Sequence, residues 1–393
     1  MNIFNHISKY ALLTIVMSSG LNASEIEPII IGLDADMSAG AARGGLAIQR
    51  GAEIAINEIN DNGGVLGRPL LLESKDHRGN PARGLDNIKS FASRNEVVAV
   101  LGGVHTPVAM HELEAIHDQQ LIYLGPWAAG TPIVNNGYSP NYVFRVSIRD
   151  EFAGAYLVGE ALKKGYRKIA LALEKTGWGR SNEKAMKMAL AAEGLDPTEI
   201  AWFHWGAQDM ETAVKSIAKT SPDVILLVAN TPEGLAIVRS IASLPKADRI
   251  PIISHWGITG GSFFEQAKDV LGDVDLSILQ TYSFIKPSFP DRANKVINAY
   301  LEQYSDATDV QDIFAPTGTA HAYDIIQILA LAIKKANTTN RQSVRNALEN
   351  LTAYNGLVRD YSPPFSAEKH DALDASDFRL STYDKKGVIV PLK

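Results

Sequence analysis

Pro28-Ile29-Ile30-Ile31-Gly32-Leu33 runs into Asp34-Ala35-Asp36-Met37-Ser38-Ala39-Gly40 and then into a helical segment that closes on Asn62-Gly63-Gly64. An unbroken apolar run of this kind marks a strand covered on both faces. Ile48, Ala52, Ala55, Ile56 and Ile59 recur at helical spacing, so one face of the following helix packs on a sheet. The small-residue loop between them leaves room at the strand's carboxyl end, where open α/β sheets bind ligands.

The same alternation continues along the chain. Strands are expected at 29–33, 70–74, 97–101, 121–124 and 142–146, then at 168–173, 200–203, 224–228, 250–254 and 276–281. Helices are expected at 80–95, 107–119, 151–164, 180–193, 210–220 and 232–243, and further on at 291–304, 318–336 and 343–350. Such alternation implies doubly wound parallel sheets. Two series occur, one before about residue 147 and one after it, so two lobes of similar architecture are expected.

The chain has 393 residues, 46% of them hydrophobic and 21% charged, which describes a globular protein and not a disordered one. A net charge of −6 argues against a nucleic-acid partner. Residues 1–23 read as a signal peptide. Lys9 supplies positive charge, Tyr10 to Met17 forms an apolar core too short to span a bilayer, and Leu21-Asn22-Ala23 offers a cleavage site. There is no cysteine, so neither a disulfide nor a lipoprotein anchor is expected.

No phosphate-cradling glycine loop followed by Lys and no Gly-x-Ser-x-Gly elbow is present, and thiol chemistry is excluded. His111 and His117 flank Glu112 and Glu114 but stand six apart, whereas a zinc-binding helix spaces its histidines by four; a solvated helix is the expectation, with no metal or cofactor. Asp34-Ala35-Asp36 is read as a loop at the rim of a cleft, where one of the acids meets a ligand.

Stronger signals lie at strand ends. Gly102-Gly103-Val104-His105-Thr106-Pro107 opens a helix whose free amides suit a carboxylate, with Thr106 as the N-cap. Gly125-Pro126-Trp127-Ala128-Ala129-Gly130-Thr131-Pro132 lets a ligand approach the backbone closely. In the second series the corresponding loops are Lys175-Thr176-Gly177-Trp178-Gly179, Asn230-Thr231-Pro232-Glu233 and Ser254-His255-Trp256-Gly257. Trp127, Trp178 and Trp256 are three of the five tryptophans and all fall on such loops; Tyr282 adds a fourth ring. Ring-lined pockets suit small ligands. Trp202 and Trp205, on or beside a strand, are assigned to the core.

From Glu27 to the end, this chain resembles the extracytoplasmic solute-binding proteins of branched-chain amino-acid ABC transporters, whose fold is the type I periplasmic binding protein. The resemblance implies three passages between the lobes, near Ser147–Asp150, Tyr282–Ile285 and Tyr354–Arg359. Lobe one would then be 24–148 with 283–355, and lobe two 149–282 with 356–393. It implies that the loops holding His105, Thr106, Trp127, Ala128 and Ala129 bind the α-carboxylate and α-amino groups, although the hydroxyl that usually follows is displaced to Thr131 or absent. Trp178 matches the aromatic residue that closes over the ligand, and Asn230 and Thr231 match cleft-facing positions. Where relatives place an acid for the ligand's ammonium, this chain has Trp256 beside His255. A cation–π contact or a ligand without an ammonium group would accommodate that change. The implied function is a periplasmic, monomeric transport subunit, not an enzyme, that carries an aliphatic amino acid or an aromatic or short-chain acid to a membrane permease. A ligand-sensing module of the same fold, feeding a membrane receptor or regulator, is the alternative.

Overall fold

A computed structural model describes residues 27–392; the expected signal peptide lies outside them. The first sheet takes β1 (Ile29–Ala35), β2 (Leu70–Asp76), β3 (Val97–Leu101), β4 (Ile122–Gly125) and β5 (Val143–Arg145) in the order β2-β1-β3-β4-β5. All its pairings are parallel. Between them run α1 (Ala42–Asp61), α2 (Pro81–Ala92), α3 (Thr106–Asp118) and the short α4 (Thr131–Val134). Every residue of β1, β3, β4 and β5 is buried, which is why these strands read as continuous apolar runs.

The second unit contains α5 (Asp150–Lys163), β6 (Ile169–Glu174), α6 (Gly177–Ala192), β7 (Glu199–Phe203), α7 (Glu211–Lys219), β8 (Val224–Val228), α8 (Thr231–Ala242), β9 (Ile252–Ser254), α9 (Phe263–Ala267) and β10 (Leu276–Gln280). The chain then returns to the first unit as α10 (Pro290–Gln303), α11 (Pro316–Ala336) and α12 (Arg341–Glu349), with α10 and α11 packed on α1. A Cβ on Gly51 of α1 would lie 2.1 Å from the Thr319 carbonyl oxygen of α11, so glycine is what lets these helices touch. Among the described residues no helix is long and apolar enough to cross a membrane.

The C-terminal segment departs from expectation. β11 (Tyr354–Asn355) and β12 (Asp360–Tyr361) form a small hairpin whose amides Leu357 and Val358 donate to the buried Asp324 carboxylate of α11, at 2.6 and 2.9 Å. Asp371 then pairs beside Arg145 of β5. The chain at 354–359, expected to pass between lobes, is therefore still bonded to the first unit. Only afterwards does it add β13 (Arg379–Tyr383) and β14 (Ile389–Pro391), which complete the second sheet in the order β14-β13-β10-β9-β8-β6-β7. The expected strands end at 281, so these two are additions to the pattern, and both pair antiparallel.

Helix α3 differs from the solvated surface expected of it. Glu112 is 1% exposed and faces Asp34 at the carboxyl half of β1. Asp34 Oδ2 and Glu112 Oε1 receive no donor from elsewhere, so a shared proton joins them. Burial raises the Glu112 carboxyl far above its ordinary range and lifts Asp34 to about 6. The folded protein thus holds protons that the unfolded chain releases near pH 4, and stability falls as pH rises through about 4 to 6 and beyond. In Glu112→Gln the amide donates to Asp34 without needing that proton. Its melting temperature is expected to fall less between pH 5 and pH 8 than the wild type's, measured by calorimetry; equal slopes would contradict the shared proton.

Candidate functional site

The two sheets point their carboxyl ends at one another, and the strand-end loops meet in the seam between the units. On the first unit, α3 begins at Thr106 with His105 as its cap residue. Thr106 does not cap: its hydroxyl accepts from the Gly130 amide at 3.2 Å and so ties the two loops together. The Trp127–Gly130 loop is held from below by Arg145, whose Nη1 donates to the carbonyls of Ala128 and Gly130 at 3.1 and 3.0 Å. The Trp127 carbonyl accepts from Ser147 Oγ at 2.7 Å, and the Ala129 carbonyl from the Asp150 amide at 2.9 Å. A Cβ on Gly318 would meet the Trp127 ring at 2.8 Å, so α11 forms the floor under that indole.

On the second unit, Thr176 caps α6 by accepting from the Trp178 amide at 3.2 Å. Trp178 therefore sits in the first helical turn and not in a loop, because α6 begins ahead of the start expected for it. Its indole N–H donates to Asp150 Oδ1 at 3.2 Å. Asn230 donates to Glu174 Oε2 at 2.8 Å, and the Thr231 hydroxyl donates to the Ile258 carbonyl at 2.8 Å. Trp256 opens a short 3-10 turn, Trp256–Gly260. The Trp256 amide donates to His255 Nδ1 at 3.0 Å, which places the ring proton on Nε2. That nitrogen lies 3.2 Å from Asp150 Oδ1, at an angle too poor for a hydrogen bond.

Across the seam the indoles of Trp127 and Trp256 stand 5.6 Å apart, tilted by 48°. His321 of α11 stands 5.8 Å from Trp256, and His255 meets Trp178 edge-on at 5.0 Å. Burial lowers the His321 imidazole to about 4, so it is neutral: Nδ1–H donates to the Pro126 carbonyl at 2.8 Å and Nε2 accepts from Thr281 at 2.9 Å. Thr317 donates to Gln280 at 3.0 Å, the Thr131 amide donates to Ser181 at 3.2 Å, and Arg43 pairs with Glu265. These contacts describe two units closed upon one another, with every expected site residue in the first and second units buried. Tyr282 is buried too, but its ring lies edge-on to Phe284 at 4.9 Å on the passage between units.

Several residues of the seam were not legible in the sequence. Asp150 brings a carboxylate to His255 and Trp178, close to where the sequence lacks the usual acid, and its Oδ2 has no partner. His321 arrives from a helix 195 residues beyond the Pro126 carbonyl that it binds. Trp205, assigned to the core, instead presents its ring to His105 across the seam at 4.9 Å. Asp36 holds His105 Nε2 at 3.2 Å. Burial alone would raise the Asp36 carboxyl, but hydrogen bonds from His105 and the amides of Ala41 and Ala39 outweigh it and hold it at about 2. Near the former zinc candidate, His117 stacks on Tyr138 at 3.9 Å and His111 faces solvent.

Two facing α/β units, with binding chemistry at the strand ends between them, define a two-lobed solute-binding protein. The chain belongs to the Periplasmic binding protein family, which it matches over residues 28–386. It is 25% identical over 331 residues to the Leu/Ile/Val-binding protein BraC3 of Rhizobium johnstonii, spanning 82% of this chain and 83% of that protein. The crystal structure of a periplasmic binding protein type 1 from Bordetella pertussis superposes with a TM-score of 0.83 at 22% identity, over 93% of this chain and 100% of the other. A solute-binding protein of an ABC transporter from R. palustris, solved with 4-hydroxybenzoate, superposes with a TM-score of 0.77 at 18% identity, over 93% and 96%.

The Trp127–Gly130 loop depends on a buried ion pair. Arg145, wholly buried, donates Nε to Asp371 at 2.6 Å, and Arg149 reaches the other oxygen of Asp371 at 2.8 Å. Removing one partner of such a pair costs about 3–5 kcal/mol. Asp371→Ala is expected to lose stability of that order in urea unfolding, and a loss below about 1 kcal/mol would show that the loop is braced by other contacts.

Proposed function

We infer that this chain is the solute-binding component of an ABC transporter of the branched-chain or hydrophobic amino-acid type. It is exported through the signal peptide read in residues 1–23. In the periplasm it takes up a small carboxylate, either an aliphatic amino acid or an aromatic or short-chain acid, and delivers it to a membrane permease. The observation that carries this reading is the pairing of Trp127 and Trp256 across the seam, directly above the loop that Thr106 and Arg145 hold in place. The names of the relatives support the solute class: one is a Leu/Ile/Val-binding protein, and another was solved with an aromatic acid.

In this reading lobe one receives the solute through the amides of the His105–Thr106 turn and the Trp127-Ala128-Ala129 loop. Trp178, Asn230, Thr231, His255 and Trp256 then close over it by a hinge motion. Opening separates the Trp127 and Trp256 rings and the His321–Thr281 hydrogen bond; a solute inserted between the rings restores the contact on both sides. A solute favours closure only by as much as it binds the closed form more tightly than the open one. An aromatic or branched apolar body suits that slot, because offset ring pairs gain about 0.5–1.5 kcal/mol beyond the area they bury.

A thermal-shift screen of aliphatic amino acids and aromatic acids tests the assignment. A solute at a hundred times its dissociation constant adds about 2.7 kcal/mol of stability, which is readily detected. With the best solute, Trp256→Ala is expected to weaken binding at least tenfold by titration calorimetry and, because the ring is buried in the solute-free protein, to lower its melting temperature as well. Unchanged affinity would remove Trp256 from the site. Saturating solute is also expected to reduce the radius of gyration in small-angle scattering, and identical profiles would contradict closure.

A further inference from the structure

Toward the mouth of the seam lies a second feature that the Trp127–Trp256 slot does not use. A cavity of about 260 Å³ opens between the lobes, with Asp36, Arg78 and His105 on the first lobe and Trp205, Asn230 and Glu233 on the second. Glu233 is entirely buried, in the first turn of α8. Its Oε1 accepts from the Gly206 amide, and its Oε2 has no partner at all. Glu174, also entirely buried, lies close enough that the Glu233 charge helps to raise its carboxyl. Among the described residues neither carboxylate forms an ion pair, although His105 on the facing wall and the amides at the start of α8 lie near enough to Glu233 to favour its charged form. The one cation of the lining, Arg78, is largely exposed and is held by Asp76 at 3.3 Å. On the facing wall His105 Nδ1 is likewise buried without a partner.

Buried carboxylates are ordinarily paired or hydrogen-bonded on both oxygens, because an unpaired one is costly. Here the carboxylate with the unpaired oxygen belongs to a residue that lines a cavity between the lobes, whose wall also holds the Trp205 indole, a ring whose face attracts cations. The geometry points to a subsite for a protonated nitrogen of the solute, with Glu233 Oε2 as its counter-charge and the Trp205 ring beside it. The transported solute would then carry a cationic amine remote from the carboxylate that the Thr106 and Trp127–Ala129 loops receive. This rests on the carboxylate reading above and extends it to a class, the ω-amino acids. Burial raises the Glu233 and Glu174 carboxyls, and an incoming ammonium reverses that cost at Glu233 by supplying the missing partner.

The test compares linear ω-amino acids of four to eight carbons with the amine-free acids of the same length, and with 1,4-diaminobutane, by titration calorimetry at pH 7.5. The best ω-amino acid is expected to bind at least tenfold tighter than its amine-free acid. Glu233→Gln, which keeps the acceptor for Gly206, should abolish that advantage and leave the amine-free acid unchanged. Trp205→Leu, at the cavity wall, should reduce it severalfold, and it serves as the test should Glu233→Gln not fold. Equal affinity of the two series in the wild type, or an advantage that survives in both variants, overturns the subsite while the carboxylate reading stands. Diamine binding that Glu233→Gln abolishes, with no carboxylate bound, supports the subsite and overturns the carboxylate reading. Failure of every compound to bind overturns the subsite, and the carboxylate reading is then decided by the screen of aliphatic amino acids and aromatic acids.

Discussion

The architecture of the seam depends on where one buried guanidinium is allowed to go. Arg145 ends β5 with no exposed surface, so its charge must be met from within the protein, and Nε and Nη1 are met while Nη2 makes no hydrogen bond. Asp371 meets it from 226 residues away in the sequence, and the Ala128 and Gly130 carbonyls meet it from the neighbouring loop. A charge that cannot reach water fixes the groups around it to within a narrow geometry. The Trp127–Gly130 loop accordingly has its carbonyls committed inward. The passage at 147–150 is pinned, because Arg149 shares Asp371 and the Asp150 amide binds the same loop. The late segment 370–372 is held along β5 before it can leave for the second sheet.

That pinned frame contrasts with the contacts that hold the lobes shut. Those include three pairs of tilted rings, a handful of neutral hydrogen bonds and one exposed ion pair. A neutral hydrogen bond contributes about 0.5–1.5 kcal/mol net, and an exposed ion pair about 0–1 kcal/mol. Most of these groups regain water or rotational freedom on opening. The neutrality of His321 matters here: an imidazolium would lose its acceptor role toward Thr281 and would be trapped beside Trp256 without a counter-charge. Rigid lobes joined by weak, reversible contacts are what hinge closure requires.

The parts of this arrangement that the sequence discloses are those written in local periodicity. Fully buried parallel strands show as runs such as Val97–Leu101 and Val224–Val228, and the loops after them are recognisable as strand ends. What escapes is whatever depends on a partner far along the chain. Glu112 reads as a surface residue of α3 because its reason for being buried is Asp34, far back in the sequence on β1. The resemblance implies a passage at 354–359, and local pattern cannot correct it, because the Asp324 carboxylate that gathers the hairpin's amides lies on α11. Trp205 reads as core because nothing nearby in sequence reveals that His105 faces it from the other lobe. Trp178 belongs to a helix and not a loop for a more local reason, the Thr176 hydroxyl, which starts α6 early.

The charge distribution in the seam explains why an indole at position 256 is compatible with a solute-binding cleft. Its carboxylates are Asp36 on the first lobe and Asp150, Glu174 and Glu233 on the second, with His105, His255 and Arg78 as the basic groups among them. Of these, Asp36 stays ionised because His105 and two amides stabilise its charge. Glu174 is raised by burial to about 8 and is largely protonated at neutral pH. A further acid at position 256 would sit beside His255 and Asp150 and face the Trp127 loop. It would add negative charge near the Asp150 carboxylate that His255 already meets, and like charges close together in a site of low dielectric disfavour ionisation strongly. Trp256 avoids that repulsion and gives the Trp127 ring an apolar partner.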